Sequence, residues 1–232
     1  MKAIQKPEIY NCVIFLILHG LLLPNLENFL YYFMIDRDKI TKFEYSEKFA
    51  MQKFAIILSP FLFERFFKDW EVRTLIMCSM ICQTFSSIAK FAFAIRLNEY
   101  LGIGDMTFVL FLEFFREIAL TSFLSLPMIA LFAKITPHHI EGAIFGLLTG
   151  IEGLSKSIIS SMVGVWINER FTKVTAKDSS NYKVLCLIKI GMAVTIFVLL
   201  PLIPLKENTQ VLIRRDTKKS DKETDEITPL LL

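Results

Sequence analysis

Long apolar segments alternate with short charged segments along the whole chain. A helix needs about 20 mainly apolar residues to cross a bilayer, and six segments meet this requirement. We predict spans at residues 10–34, 49–67, 74–95, 106–133, 140–167 and 184–205. The pattern therefore predicts an all-α fold, a polytopic membrane helix bundle with six transmembrane helices.

Composition supports a lipid bilayer as the solvent of this chain. Hydrophobic residues make up 53% of the sequence and the mean hydropathy is +0.49, well outside the range of soluble domains. The net charge of +3 is spread between apolar segments, so no basic face for nucleic acid is predicted. All four cysteines lie in apolar segments and indicate no disulfide framework.

The N-terminal apolar segment has two interpretations. Lys2 and Lys6 precede an apolar stretch, residues 12–23, that has the length of a signal-peptide core. A cleaved signal is therefore one alternative. We favour a single interrupted span, because no small-x-small cleavage site follows and the apolar sequence resumes at Phe29, after Pro24.

Charge distribution predicts the orientation. We divide the chain into an N-terminus (1–9), a membrane domain (10–205) and a polar tail (206–232) that is expected to be disordered. Six spans place both termini on one side, where basic residues are more frequent, so the positive-inside rule puts both in the cytoplasm. We expect an integral, multi-pass protein of the plasma membrane or of an endosomal, lysosomal or vacuolar membrane.

The fourth predicted span contains Glu113, Arg116 and Glu117. Each ionisable group at membrane depth costs about 2.5–3.5 kcal/mol, so each requires a physical reason. Their spacing puts them on one helix face, where Arg116 can neutralise one carboxylate and leave the other for a proton, an ion or a cationic group. An ion pair that only fixes helix packing is an equal alternative.

Glu152 and Lys156 lie one helical turn apart in the fifth predicted span. They could simply neutralise each other. We favour a pair that lines a water-filled cavity, because transporters place their binding sites near the bilayer midplane.

The first predicted span is unusually polar. Pro24 removes a backbone donor and interrupts the helix, close to His19, Asn25, Glu27 and Asn28. Discontinuous helices line substrate sites in transporters, so Glu27 is a candidate for the substrate or proton pathway. In the alternative, Pro24 ends the span and Glu27 lies among the lipid headgroups. His19 is expected to be a packed, hydrogen-bonded core residue.

Gly142, Gly146 and Gly150 repeat every fourth residue at the start of the fifth span. Such a smooth face allows close helix packing. The contact could be static, or it could lie where one bundle moves against another.

The tail contains Glu226, Leu230 and Leu231. On a cytoplasmic tail, this arrangement resembles an acidic dileucine sorting signal that binds a coat adaptor.

No enzyme signature is present. The sequence contains no nucleophile constellation, no phosphate-binding glycine loop and no metal-ligand spacing. We therefore expect no enzymatic activity, no cofactor and no metal site.

The order of these features resembles the folate/biopterin transporter family of the major facilitator superfamily, specifically its C-terminal six-helix half. The resemblance is carried by Pro24 with residues 29–33, by residues 96–103 and by residues 135–145. It covers most of residues 10–205 and depends on order and spacing more than on a single motif.

The resemblance implies a secondary carrier that moves a pteridine-like or other organic anion, coupled to protons, by alternating access. Glu113 and Glu117 match acidic positions of the family's tenth helix, and Glu141 matches an acidic position of the eleventh. Glu152 and Lys156 stand where small or polar residues are usual in the family. The substrate therefore stays open.

Six spans form only one bundle, whereas alternating access requires two. The chain could be a half-transporter that pairs with a second copy, or a truncated half of a longer carrier. The alternative from another class is a non-transporting membrane scaffold or subunit.

Overall fold

The apolar segments fold into helices in a computed structural model that describes residues 7–38, 40–135 and 141–203. No strand is found within these ranges, so the all-α prediction is confirmed. The helices are α1 (Pro7–Leu22), α2 (Glu27–Asp38), α3 (Lys42–Leu62), α4 (Val72–Ala94), α5 (Leu97–Tyr100), α6 (Asp105–Leu120), α7 (Leu126–Ile135), α8 (Glu141–Leu154), α9 (Ser160–Ile167) and α10 (Tyr182–Thr195).

Several helices continue into one another through wider or tighter turns. π-helical turns join α6 to α7 and α8 to α9, and others extend α3 and α9. A 3₁₀ segment, Ile196–Leu202, extends α10. π-helical turns frequently occur at functional sites. The π segments are Phe63–Phe67, Thr121–Ser125, Ser155–Ile159 and Asn168–Thr172.

Within the described ranges, four helical segments are long and apolar enough to cross a membrane. They are Ile9–Arg37, Val72–Ala94, Gly142–Thr172 and Tyr182–Leu202. They coincide with the first, third, fifth and sixth predicted spans. The second and fourth predicted spans are also helical, in α3 and in α6 with α7, but charged residues interrupt their apolar sequence.

The charged segment between the first two predicted spans, residues 35–48, is predicted from its sequence to be a loop at the membrane surface. The structure shows that it is mostly helical, so this prediction is wrong. Helix α2 continues to Asp38, and α3 begins at Lys42. A capping box starts α3: the Glu44 N–H donates to Thr41 Oγ1 at 3.3 Å, and the Thr41 N–H donates to Glu44 Oε2 at 2.8 Å. These two bonds satisfy backbone donors that a helix start leaves unpaired.

The chain is interrupted between α1 and α2, around Pro24. Proline cannot donate a backbone hydrogen bond, so the helix opens and exposes polar backbone groups. Ser160 satisfies two of them: its hydroxyl donates to the Leu23 carbonyl, and its own carbonyl accepts from the Asn25 N–H at 2.9 Å. The α8–α9 segment thus holds the interruption in place.

Two glycines allow a close approach between the interrupted first helix and the α8–α9 segment. A Cβ on Gly20 would overlap Ser155, and a Cβ on Gly164 would overlap the Asn25 carbonyl. The Ser155 hydroxyl also donates to the Leu16 carbonyl. These contacts fix the interrupted helix on both sides of its break.

Two apolar clusters form the core, and a polar layer separates them along the helices. In α4, Ile76 and Met80 belong to one cluster and Phe93 to the other. In α10, Cys186 belongs to the second cluster and Ala193 to the first. Between these positions, the two helices carry the polar residues Gln83, Ser86, Ser87, Lys90 and Lys189.

Candidate functional site

The polar layer encloses a cavity of about 290 Å³. The break between α1 and α2 forms one wall, and α3, α4, α6, α8–α9 and α10 contribute the rest. Almost every helix of the bundle therefore supplies a polar group to one space. The polar lining consists of His19, Asn25, Glu27, Gln52, Lys53, Gln83, Ser86, Ser87, Lys90, Arg116, Glu117, Lys156, Ser160 and Lys189.

Glu113 is the buried centre of the charged groups around this cavity, with no exposed surface. Lys90 Nζ lies 2.6 Å from its Oε1. Arg116 Nε and Gln52 Nε2 both donate to its Oε2, at 2.8 and 2.9 Å. A buried carboxylate is tolerated only with such partners, and here they come from three helices.

Arg116 connects three carboxylates. Besides Glu113, its terminal nitrogen Nη2 donates to Glu27 Oε1 at 3.0 Å and to Glu117 Oε2 at 3.2 Å. A planar guanidinium can serve several acceptors in this way, which a lysine ammonium cannot match. The sequence interpretation, in which Arg116 neutralises one carboxylate, accounts for only part of this arrangement.

Glu27, at the start of α2, is held inside the protein by a second cation. Lys48 Nζ lies 3.3 Å from Glu27 Oε2, and the Lys48 side chain has no exposed surface. Lys48 also donates to the Tyr45 hydroxyl at 3.2 Å. We call these six charged residues the central network: Glu27, Lys48, Lys90, Glu113, Arg116 and Glu117.

Glu152 and Lys156 form a second pair beside the same cavity. Lys156 Nζ lies 2.5 Å from Glu152 Oε1 and donates to Ser125 Oγ at 2.7 Å. Lys156 lines the cavity, whereas Glu152 is buried behind it. Ser125 and Lys156 both lie in π-helical turns.

The charges of these two groups cancel. Four carboxylates, Glu27, Glu113, Glu117 and Glu152, are paired with four cations, Lys48, Lys90, Arg116 and Lys156. The cavity has two further lysines, Lys53 and Lys189, that form no ion pair within the described part of the chain. Counted in their ordinary ionised forms, four acidic and six basic side chains give a formal excess of +2, which favours an anionic occupant.

His19 also lines the cavity, and its exposed fraction is 7%. Its Nε2 has no hydrogen-bond partner among the residues that the structure describes. This differs from the expected hydrogen-bonded core histidine. A buried ring nitrogen without a partner is costly, and it can bind a ligand that enters the cavity.

The structure brings all six predicted pathway residues to one place: Glu27, Glu113, Arg116, Glu117, Glu152 and Lys156. The glycine repeat lies elsewhere, and no described atom comes within 4 Å of a Cβ built on Gly142, Gly146 or Gly150. The helix-packing prediction for these glycines stays a prediction. The sorting-signal residues Glu226, Leu230 and Leu231, and the side chain of Glu141, lie outside the described residues.

Sequence reasoning missed several members of the site: Lys48, Gln52, Lys53, Lys90 and Lys189. Lys90 and Lys189 lie inside the third and sixth predicted spans. The energetic cost that identified Glu113 applies equally to them. Lys48 and Gln52 lie at the edge of the second predicted span and gave no comparable signal.

Comparison with known proteins agrees with this picture of polar groups inside an apolar bundle. The model of the family described as the BT1 family matches residues 1–225. Three similar proteins of Arabidopsis thaliana carry the name "Probable folate-biopterin transporter". Number 7 is 25% identical over 78% of this chain, number 2 is 25% identical over 73%, and number 4 is 20% identical over 69%.

These matches cover 40%, 34% and 33% of the respective relatives. The chain thus spans less than half the length of the curated relatives it matches. No solved structure matches this chain.

Proposed function

Since this chain belongs to the BT1 family, an integral membrane transporter family, we propose that it is a secondary carrier for an organic anion or a pteridine-like solute. The solute would bind in the cavity between the two apolar clusters and cross by alternating access. The observation that carries this proposal is the excess positive charge of the cavity, which Lys53 and Lys189 supply.

The proposed membrane topology has six spans. Helix α3 and the α6–α7 helix would be the two spans beyond the four apolar segments. Support comes from their polar residues. Lys48, Glu113 and Arg116 belong to the central network, and the neutral Gln52 donates to Glu113, so these side chains do not require lipid contact. Ionisable groups in membrane helices face the protein interior in this way.

We propose that the working carrier contains a second six-helix bundle. Alternating access moves two bundles around a shared site, and the matches to this chain cover less than half of each relative. The unoccupied face at Gly142, Gly146 and Gly150 suits a close helix contact. The second bundle could be a second copy of this chain or a further segment of a longer carrier, as in the major facilitator superfamily.

Glu117 is the proposed proton-carrying residue. It lines the cavity and has one ionic partner among the described residues, Arg116, whereas the fully buried Glu113 has two. The charged groups that act on Glu117 are Arg116, Glu113, Glu27 and Lys156. A solute anion that competes for Arg116 would weaken the Arg116–Glu117 ion pair and favour protonation of Glu117.

The proposed orientation has both termini in the cytoplasm, and the tail would direct sorting between the plasma membrane and endosomal, lysosomal or vacuolar membranes. Replacing both Leu230 and Leu231 by Ala in a fluorescent fusion would shift the protein between these membranes. An unchanged distribution would remove the coat adaptor from the proposal.

Proteoliposome uptake tests the proposed function. The full chain should accumulate radiolabelled folate or biopterin, faster when the outside is more acidic. Absence of flux, together with purification only in complex with a different membrane protein, would replace the carrier by a non-transporting scaffold or subunit.

A further inference from the structure

Lys189 is a lysine of the polar layer for which the described part of the chain provides no ionic partner. It lies in the middle of α10, is partly buried and lines the cavity. No carboxylate within the described ranges pairs with it. A lysine at membrane depth without a counter-charge is costly, so a partner from outside the protein would be favourable.

The neighbouring carboxylates are already engaged. Lys189 lies in the electrostatic field of Glu113, but also in that of Lys90 and Arg116, and both of these cations contact Glu113 directly. Glu27 is held by Lys48 and Arg116. Every carboxylate of the central network is therefore already paired. The cations of the network increase the attraction of an anion to the part of the cavity around Lys189.

A second, independent feature of the cavity indicates a ligand. His19, from the last turn of α1 before the break, also lines the cavity and has a buried Nε2 without a hydrogen-bond partner among the described residues. A carboxylate that enters the cavity could accept from a cation and from a ring N–H. Both unsatisfied groups would then gain a partner.

We infer that Lys189 binds the carboxylate of the transported solute and thereby determines which solutes the cavity accepts. This inference rests on the proposed function, because it names the residue that recognises the anionic part of the solute. Folate carries carboxylates and biopterin carries none. Lys189 therefore determines affinity for folate and leaves affinity for biopterin nearly unchanged.

Equilibrium binding of radiolabelled folate and biopterin to the purified full chain in nanodiscs tests this role. Lys189→Met should weaken folate binding about tenfold or more, the effect of losing one ion pair of about 1.4 kcal/mol. Biopterin binding should change less than about twofold. Lys189→Arg retains the charge and should retain folate binding.

Lys183→Met is the matched control. Lys183 lies on the exposed side of the first turn of α10 and does not line the cavity. Its replacement removes the same charge from the same helix, so both affinities should stay at wild-type values. Equal losses in the two Met variants would assign the effect to net charge and overturn the role of Lys189.

A labelling experiment on the wild-type chain covers the case in which Lys189→Met does not fold. Folate should protect Lys189 from reductive methylation, read by mass spectrometry, and biopterin should not. Lys183 is the internal reference. Labelling of Lys189 that is the same with and without folate would overturn the inference.

The outcomes separate this inference from the proposed function. If the wild type binds neither solute, the proposed function fails and the inference fails with it. If it binds biopterin only, or if Lys189→Met loses both solutes or neither, the carrier stands and the role of Lys189 is wrong.

Discussion

Arg116 and Glu27 form an ion pair between residues that are distant in the chain: Arg116 Nη2 lies 3.0 Å from Glu27 Oε1. Arg116 belongs to α6, and Glu27 is the first residue of α2, directly after the break of the first span. The pair therefore ties the interrupted helix to the centre of the bundle. Ser160 and Gly164 hold the other side of the same break.

Arg116→Gln should destabilise the protein strongly. The substitution leaves three carboxylates with fewer donors, and removal of one partner from a buried ion pair costs about 3–5 kcal/mol. We expect a loss of about 3 kcal/mol in the free energy of unfolding, measured by denaturation in detergent. Arg116→Lys should be intermediate, because an ammonium cannot reach all three acceptors.

Arg170→Gln is the control for this experiment. Arg170 is exposed and forms no ion pair in the described part of the chain. Its loss should leave stability within about 0.5 kcal/mol of the wild type. Similar stabilities for the Arg116 and Arg170 variants would mean that the central network does not stabilise the fold.

Gly164→Ala should disturb the contact between α9 and the helix break. The added methyl group would overlap the carbonyl oxygen of Asn25, which is backbone and cannot rotate away. Overpacking of this kind costs about 1–3 kcal/mol, so the unfolding temperature in detergent should fall. The replacement should also lower folate or biopterin binding, because Asn25 lines the cavity.

Gly146→Ala is the control for Gly164→Ala. It shows whether a steric clash at Gly164, and not the loss of a glycine as such, causes the destabilisation. No described atom lies within 4 Å of the added Cβ, and alanine favours a helix by about 1 kcal/mol over glycine. Stability should therefore be unchanged or higher. A variant that is stable but inactive in uptake would support a second bundle at this face, and equal destabilisation of both variants would contradict the close contact at Gly164.

The helices and part of the site were predictable, because a bilayer requires long apolar helices and makes ionisable side chains within them costly. Apolar length identified the helices, and the cost of buried charge identified Glu113, Arg116 and Glu117. Pro24 indicated the break of the first span. These features depend on local sequence only, and a single chain is sufficient to identify them.

The pairing of charges could not be predicted in the same way. Glu27 and Arg116 are distant in sequence, and helix packing alone decides that they meet. Lys90 and Lys189 were overlooked although the same cost rule applies to them. The capping box at Thr41 and Glu44 lies in the segment predicted to be a loop. The many charged residues after Ile35 favour a loop, although they include the first turn of α3.

The capping box of α3, which lies outside the predicted spans, predicts that the stability of the protein depends on pH. Hydrogen bonds from the backbone N–H and the hydroxyl of Thr41 hold the pKa of Glu44 below its ordinary value of 4.5. Because the folded-state pKa is depressed, the stabilisation is present above about pH 4.5 and is lost as the pH falls through the folded-state pKa. The difference in unfolding temperature between wild type and Glu44→Gln should therefore shrink on acidification. Glu47→Gln, at an exposed position in the same helix, is the control, and its unfolding temperature should equal that of the wild type at neutral and at acidic pH.

Glu113 and Glu117 should respond differently to the same substitution, because their surroundings differ. Glu113→Gln leaves the buried Lys90 without its carboxylate partner and Arg116 with two of its three, so the variant should lose stability by about 3 kcal/mol or fail to fold. Glu117→Gln removes one of the three carboxylate contacts of Arg116, at a residue that is only partly buried, and should leave the fold intact. The unfolding temperatures of the two variants in detergent measure this difference.

Uptake then distinguishes a structural carboxylate from a proton carrier. Folded Glu117→Gln should lose uptake driven by an inward proton gradient, while exchange of labelled for unlabelled solute, which needs no net proton movement, should continue. Loss of exchange as well would mean that Glu117 serves substrate binding and not coupling. If Glu113→Gln folds and both variants keep wild-type uptake, neither carboxylate takes part in transport, and the central network has a purely structural role.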